Sequence, residues 1–236
     1  MKRRDFLIGA GCVAGGGLAT AAMIPGHLEA GLQMAQNAID NRKEPLVRIT
    51  FQRDLAQPEP WAEKLIAAAE NQIGITLIYD PAYVGLSFPN GDLPRERGVC
   101  TDVVIRAYRD AFGFDLQQEV NQDMKSNFAA YPKIWGLKRP DRNIDHRRVP
   151  NLQTFFKRLG AALPVSDQAG DYLPGDVVSQ MLPGNLPHMG IVTQYRSQDG
   201  ERPLIIHNIG AGTKLEDSLF AFPITGRYRF KPGISS

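Results

Sequence analysis

The chain has 236 residues, 43% hydrophobic and 22% charged, a globular composition that supports a buried core and excludes intrinsic disorder or a disulfide-stapled miniprotein. Its 27 Lys and Arg against 25 Asp and Glu give a formal charge of +2, too small to imply a polyanion partner such as nucleic acid. With two cysteines and four histidines, a Cys/His zinc site has few possible ligands.

The chain opens on Met1-Lys2-Arg3-Arg4-Asp5-Phe6-Leu7-Ile8 and continues apolar and Gly-rich to Ala22. Paired arginines ahead of such a stretch resemble a bacterial twin-arginine export signal, which predicts a periplasmic protein that meets the Tat translocase during export. The 17 residues from Phe6 to Ala22 include five glycines, which makes them short and weakly helical for a permanent membrane span. Residues 1–21 read as the signal peptide, with Ala19 and Ala21 suiting the peptidase and the Ala30 region as a second, later cut. Cleavage after Ala21 removes three basic residues and one acidic residue and leaves a net charge of zero. It also removes Cys12, so the mature chain keeps one cysteine, Cys100. A lone thiol in an oxidising compartment is either a buried core residue or a working group.

Residues 22–59 read as a lead-in, mixed and polar with helical patches and loosely packed, with a short strand over Val47 to Phe51. The domain proper is expected over residues 60–232. From Trp61 to Gln72 the apolar Trp61, Leu65, Ala68 and Ala69 fall at helical spacing ahead of Gly74. A short apolar run, Leu77 to Tyr79, leads into a long loop rich in Pro, Gly and Asn. Cys100 to Phe112 then carries Val103, Val104, Ala107, Tyr108 and Ala111 on one helical face, with Gly113 as its stop. Residues 125–150 read as an ordered surface loop, and Pro150 to Leu159 as a short helix ended by Gly160. The period then changes: Asp176 to Gln180, Met189 to Tyr195, Leu204 to Asn208 and Tyr228 to Phe230 are short β-rich runs between turn residues. Helices followed by antiparallel strands give an α+β fold.

A thiolate attacks and a thiol does not, so a working cysteine needs its pKa lowered, and a helix N-terminus does this. Cys100 sits at such a start, and Gly98 just before it leaves room for a substrate to approach. The N–H groups of that helical turn suit an acyl oxyanion. A base must come from elsewhere in the chain. His188 opens one buried strand and His207 lies on the next, so neighbouring antiparallel strands bring two imidazoles side by side. One can accept the thiol proton while the other holds its partner's tautomer and orientation. Asp102 is expected to stabilise the first helical turn, and Asp176 to fix a turn into its strand.

Gly98-Val99-Cys100-Thr101-Asp102-Val103, Gly175-Asp176-Val177-Val178, His188-Met189-Gly190-Ile191-Val192 and His207-Asn208 together resemble the NlpC/p60 group of papain-like cysteine peptidases. A closer resemblance is to the bacterial family called domain of unknown function 1287. It rests on Tyr79-Asp80-Pro81, Cys100-Thr101-Asp102, the ten residues Asn143 to Leu152 and His207-Asn208-Ile209-Gly210. The broader group implies a papain-like fold, N-terminal helices packed on a small antiparallel sheet, with Cys100 as nucleophile, His188 as base and His207 as the orienting third residue. It also implies an aromatic hydroxyl near the oxyanion, for which Tyr79 and Tyr83 are the candidates. The chain departs from that group in having Val99 before the cysteine and Thr101-Asp102 after it, where most members have an acidic residue and Ser-Gly.

Asp145-His146-Arg147-Arg148, with Lys138, Arg139 and Arg142 nearby, is the most basic stretch of the mature chain. Arginine forks bind carboxylates in bidentate fashion, so Arg147 and Arg148, with His146, are expected to contact a peptide with free carboxylates, such as a cell-wall stem peptide. The alternative is a solvated loop whose arginines pair with Asp141 and Asp145. The resulting expectation is an exported cysteine hydrolase of envelope amide bonds, most plausibly in peptidoglycan peptides, that works through a Cys100 thioester and needs no metal or organic cofactor. Its rivals are an acyltransferase on the same scaffold and a non-catalytic module that holds an envelope ligand.

Overall fold

The structure is a computed structural model that describes residues 25–40 and 58–233. The expected signal peptide over residues 1–21, with Cys12, and the expected strand over Val47 to Phe51 lie outside the described residues. Helix α1 spans Pro25–Asp40 and α2 spans Pro60–Glu70. A two-residue strand β1, Ile78–Tyr79, pairs in parallel with β2, Arg97–Gly98, directly ahead of α3, Cys100–Phe112. Helices α4, Leu116–Asn127, and α5, Val149–Arg158, follow. The remaining strands are β3 Ala162–Leu163, β4 Val177–Leu182, β5 Leu186–Arg196, β6 Pro203–Asn208, β7 Thr213–Glu216 and β8 Ile224–Tyr228. They form one six-stranded antiparallel sheet in the order β3-β8-β4-β5-β6-β7. The fold is α+β. Among the described residues no helix is long and apolar enough to cross a membrane.

The sheet is covered on both faces. Val177, Met189, Ile191 and Ile206 pack against α2, α3 and α5 in the main core. On the opposite face Leu182 and Leu186 meet Leu32, Ala35 and Ile39 of α1, while Val178, Val192 and Ile205 meet Tyr172 and Leu219. Strand alternation makes this division, since neighbouring residues point to opposite faces. Helix α3 stops at Gly113, whose φ of +66° needs a residue without a Cβ and whose N–H bonds the Arg109 carbonyl at 2.8 Å.

The structure corrects three expectations. The lead-in is not loosely packed over α1, because its Leu32, Ala35 and Ile39 are buried, Leu32 and Ile39 each contributing about 2 kcal/mol by transfer from water. Residues 125–150 are not wholly a surface loop, since α4 runs to Asn127 and a 3₁₀ turn over Asp145–Arg147 is buried. The last strand lies earlier than Tyr228 to Phe230, over Ile224–Tyr228. Helix α4 and the short strands β2, β3 and β7 have no counterpart in the sequence pattern. Helix α4 shows only a narrow apolar line, Leu116, Val120 and Met124, and β7 is four residues long.

Candidate active site

The start of α3 is held by side chains that leave the sulfur alone. Asp102 accepts the Val99 N–H at 2.6 Å and binds Arg147 with both oxygens, from Nε and Nη2 at 3.0 Å each. Arg147 also donates to the Ala82 and Asp80 carbonyls, and Thr101 Oγ1 donates to the Arg147 carbonyl at 2.9 Å. Gly98 serves this packing and not substrate access: a Cβ there would lie 3.0 Å from Asp102 Cβ and 3.1 Å from Arg106 Nη1. Its carbonyl accepts from Asn208 Nδ2 at 3.1 Å, which ties the helix start to the end of β6.

Cys100 is the first residue of α3 and is 4% exposed. The backbone N–H groups of Met189, Thr101 and Cys100 itself favour its thiolate. The β5–β6 ladder pairs Ile191 with Ile206 and Val192 with Ile205. The expected lowering of the thiol pKa is overturned. Burial pushes it up to about 12, and the backbone donors offset only part of that. Tyr79, half-buried on β1, has its hydroxyl pushed well up by burial and then by the charge of Cys100 and Asp102.

His188 Nε2 and His207 Nδ1 are 2.8 Å apart, and His207 Nε2 lies 3.1 Å from Glu216 Oε2. The sheet register explains the line. His207 faces Lys214 across the β6–β7 pair and Ile205 faces Glu216, so His207 and Glu216 are diagonal neighbours on one face. Continuing the β5–β6 register sets Gly190 opposite His207, where a Cβ would come within 3.0 Å of His207 Cβ. The other Glu216 oxygen accepts from Gln36 Nε2 of α1 at 3.2 Å. A carboxylate only accepts, so His207 carries its proton on Nε2 and accepts on Nδ1, and His188 donates from Nε2. That order leaves the lone pair of His188 on Nδ1. Burial, then His207, lower the His188 pKa well below its ordinary value, against the opposing pull of Glu216. Among the described residues Cys100 makes no side-chain hydrogen bond to either imidazole.

The model of a domain of unknown function, DUF1287, matches residues 66–230. The chain belongs to the DUF1287 family. It is also similar to the uncharacterized protein YijF of Escherichia coli (strain K12), 56% identical over 162 residues that make up 69% of this chain and 78% of that protein. No solved structure matches it. Cys100, His188, His207 and Glu216 all fall inside the DUF1287 match, whereas Gln36 and α1 lie ahead of it.

Within the DUF1287 region, the other candidate residues separate by placement. Tyr83 is 60% exposed, donating to Asp141 and accepting from Asn143, each at 3.0 Å. Arg147 is buried and engaged with Asp102, so it positions the helix start and is not available to a ligand. His146 is also buried, with its Nδ1 unpartnered, and burial followed by the nearby Arg147 charge takes its pKa down to about 3. Burial removes both from the expected substrate contacts. Arg148 donates to Asp145 at 2.8 Å and stacks 4.1 Å from the Trp135 ring centre. No group of His, Cys, Asp and Glu suited to a metal occurs among the described residues. Glu216 and Gln36 were not anticipated from sequence. The signal for Glu216 was available: a hairpin from Asn208 to Thr213 gives residues 207, 214 and 216 one facing direction.

Proposed function

We propose that this DUF1287 protein is a papain-like cysteine hydrolase of the NlpC/p60 type, cleaving amide bonds in envelope peptides. The observation that carries the reading is the proton order from Glu216 through His207, which leaves a lone pair on His188, the residue before the Met189 that packs in one core with the helix-start Cys100. His188 Nδ1 takes the Cys100 proton as the sulfur bonds to the substrate carbonyl carbon. The oxyanion that forms accepts the Cys100 N–H at the helix start and the Tyr79 hydroxyl. Collapse breaks the C–N bond, and His188 returns its proton to the departing amine. A water that gives its proton to His188 then attacks the thioester carbonyl, and Cys100 leaves with that proton. Because burial raises the thiol and lowers the imidazole, the resting pair is neutral and charge separates only as substrate reacts.

The paired Arg3 and Arg4 ahead of an apolar stretch support export to the periplasm by the twin-arginine translocase, where peptidoglycan stem peptides supply the amide class. Cleavage after Ala21 keeps α1 whole, whereas a cut near residue 30 would remove its first turns. The burial of Cys100 favours a second reading, a non-catalytic module that holds an envelope ligand. Digestion of purified sacculi separates the two when released fragments are weighed by mass spectrometry. Wild type is expected to release peptides with newly hydrolysed amide bonds, and Cys100→Ala to release none. No release by wild type, or equal release by Cys100→Ala, overturns the hydrolase.

A further inference from the structure

A cleft of about 660 Å³ lies between α1 and the β1 segment, in the size range of small-ligand sites. Leu28 and Leu32 of α1, Leu77 and Tyr79 of the β1 segment, and Ile209 after β6 form its walls. Tyr79 also pairs with Gly98, two residues ahead of Cys100. The cleft therefore borders the segment that leads into α3.

Gln36 also lines the cleft and is 8% exposed. Its Nε2 donates to Asp40 at 3.1 Å and to Glu216 at 3.2 Å, which fixes the orientation of the amide. Its Oε1 is buried without a partner. A buried carbonyl oxygen in that state is satisfied when a ligand brings an N–H. Among the described residues the walls carry the Glu29 carboxylate and no basic side chain, so they disfavour an acidic ligand. The N–H groups of Ile78 and Asp80 bond the Glu96 and Gly98 carbonyls, and strand alternation then turns the Tyr79 backbone away from β2, as an edge for an extended chain.

We propose that this cleft binds an extended apolar peptide segment, uncharged or amino-bearing, one of whose N–H groups bonds Gln36 Oε1. As a substrate subsite it rests on the hydrolase reading, and as a binding site it does not. The class differs from the carboxylate-bearing ligand that the arginine-rich loop suggested.

The test uses the mature chain carrying Cys100→Ala and calorimetric titration of three probes. These are acetyl-Ala-Val-Leu-Ala-amide, the same peptide with Glu replacing Val and Leu, and dodecanoate. The apolar peptide is expected to bind about tenfold more tightly than the acidic one, and Leu77→Arg to weaken it about tenfold by placing a charge against an apolar ligand. Leu77 is 61% exposed, so the variant keeps its fold. Absent or equal binding of the two peptides, indifference to Leu77→Arg, or dodecanoate as the only probe that binds overturns the proposal. Tight apolar binding with no sacculus cleavage by wild type overturns the hydrolase alone. Cleavage that Leu77→Arg leaves unchanged overturns the subsite alone.

Discussion

Two buried polar chains run through the fold, and they are built differently. At the start of α3, Asp102 faces Arg147, a guanidinium that keeps its proton and whose bonds to Asp102, Asp80 and Ala82 fix it in place. On the other face of the sheet, Glu216 faces His207 and then His188, two rings that can each exchange donor for acceptor. Both chains are buried, and both contain a carboxylate. What separates them is whether the far end can move a proton. The first is a scaffold for the helix start, and the second ends in a lone pair. Burial of charge is therefore a poor marker of chemistry, and the end of the chain is the useful one.

The comparison breaks most plainly at Arg147. Its replacement by Ala leaves Asp102 buried and unpaired, which is expected to cost about 3–5 kcal/mol in urea denaturation. Arg147→Lys should recover only part of that, because an ammonium cannot make the two-pronged contact. A loss within about 1 kcal/mol of wild type would show that the pair is not a scaffold. The second chain should respond in rate and not in stability. Glu216→Gln keeps the shape but lets an amide N–H face His207 Nε2, which reverses both tautomers and moves the His188 proton to Nδ1. Fragment release from sacculi is expected to slow about a hundredfold, equivalent to ~2.7 kcal/mol, with the reversed tautomers visible in nitrogen NMR of the histidines. Unchanged tautomers and an unchanged rate would remove Glu216 from the positioning role.

The same contrast explains what the sequence made legible. His188 and His207 were found because each sits in a long apolar run whose strand period is plain, and neighbouring strands had to set them together. Cys100 was found because Val103, Val104 and Ala107 mark its helix and Gly113 ends it. Glu216 was missed because β7 holds only Thr-Lys-Leu-Glu, too short for periodicity to register. Gln36 was missed because α1 is polar over most of its surface and buries only one narrow side. The Asp145–Arg147 turn was misread for a different reason. Charge density in sequence suggests solvent, whereas here Arg147 meets a buried carboxylate more than forty residues earlier, at Asp102. Long-range ion pairs leave no local pattern, so a basic run cannot be assigned to surface or interior without the partner.

His146 sharpens the comparison from outside both chains, as a buried imidazole with no carboxylate bonded to it. Its folded pKa of about 3 lies below the ordinary 6.5 because of burial first and the Arg147 charge second, with Arg109 adding to the effect and Asp115 and Asp92 opposing it. The unfolded chain therefore binds this proton at higher pH than the folded one does. The linked stability is complete above pH ~6.5 and is lost as pH falls toward the folded value, by ~1.4 kcal/mol per pH unit for one histidine. His188, also lowered, adds a slope of the same sign below pH ~6.5. His146→Leu should remove its own share and leave that of His188, so wild type and variant converge in stability as the pH is lowered from 6.5 to 5. Urea denaturation at half-unit steps measures the convergence. Parallel acid profiles would mean that His146 is protonated in the folded protein. An imidazolium there would need a carboxylate within reach, making the turn a third charge pair.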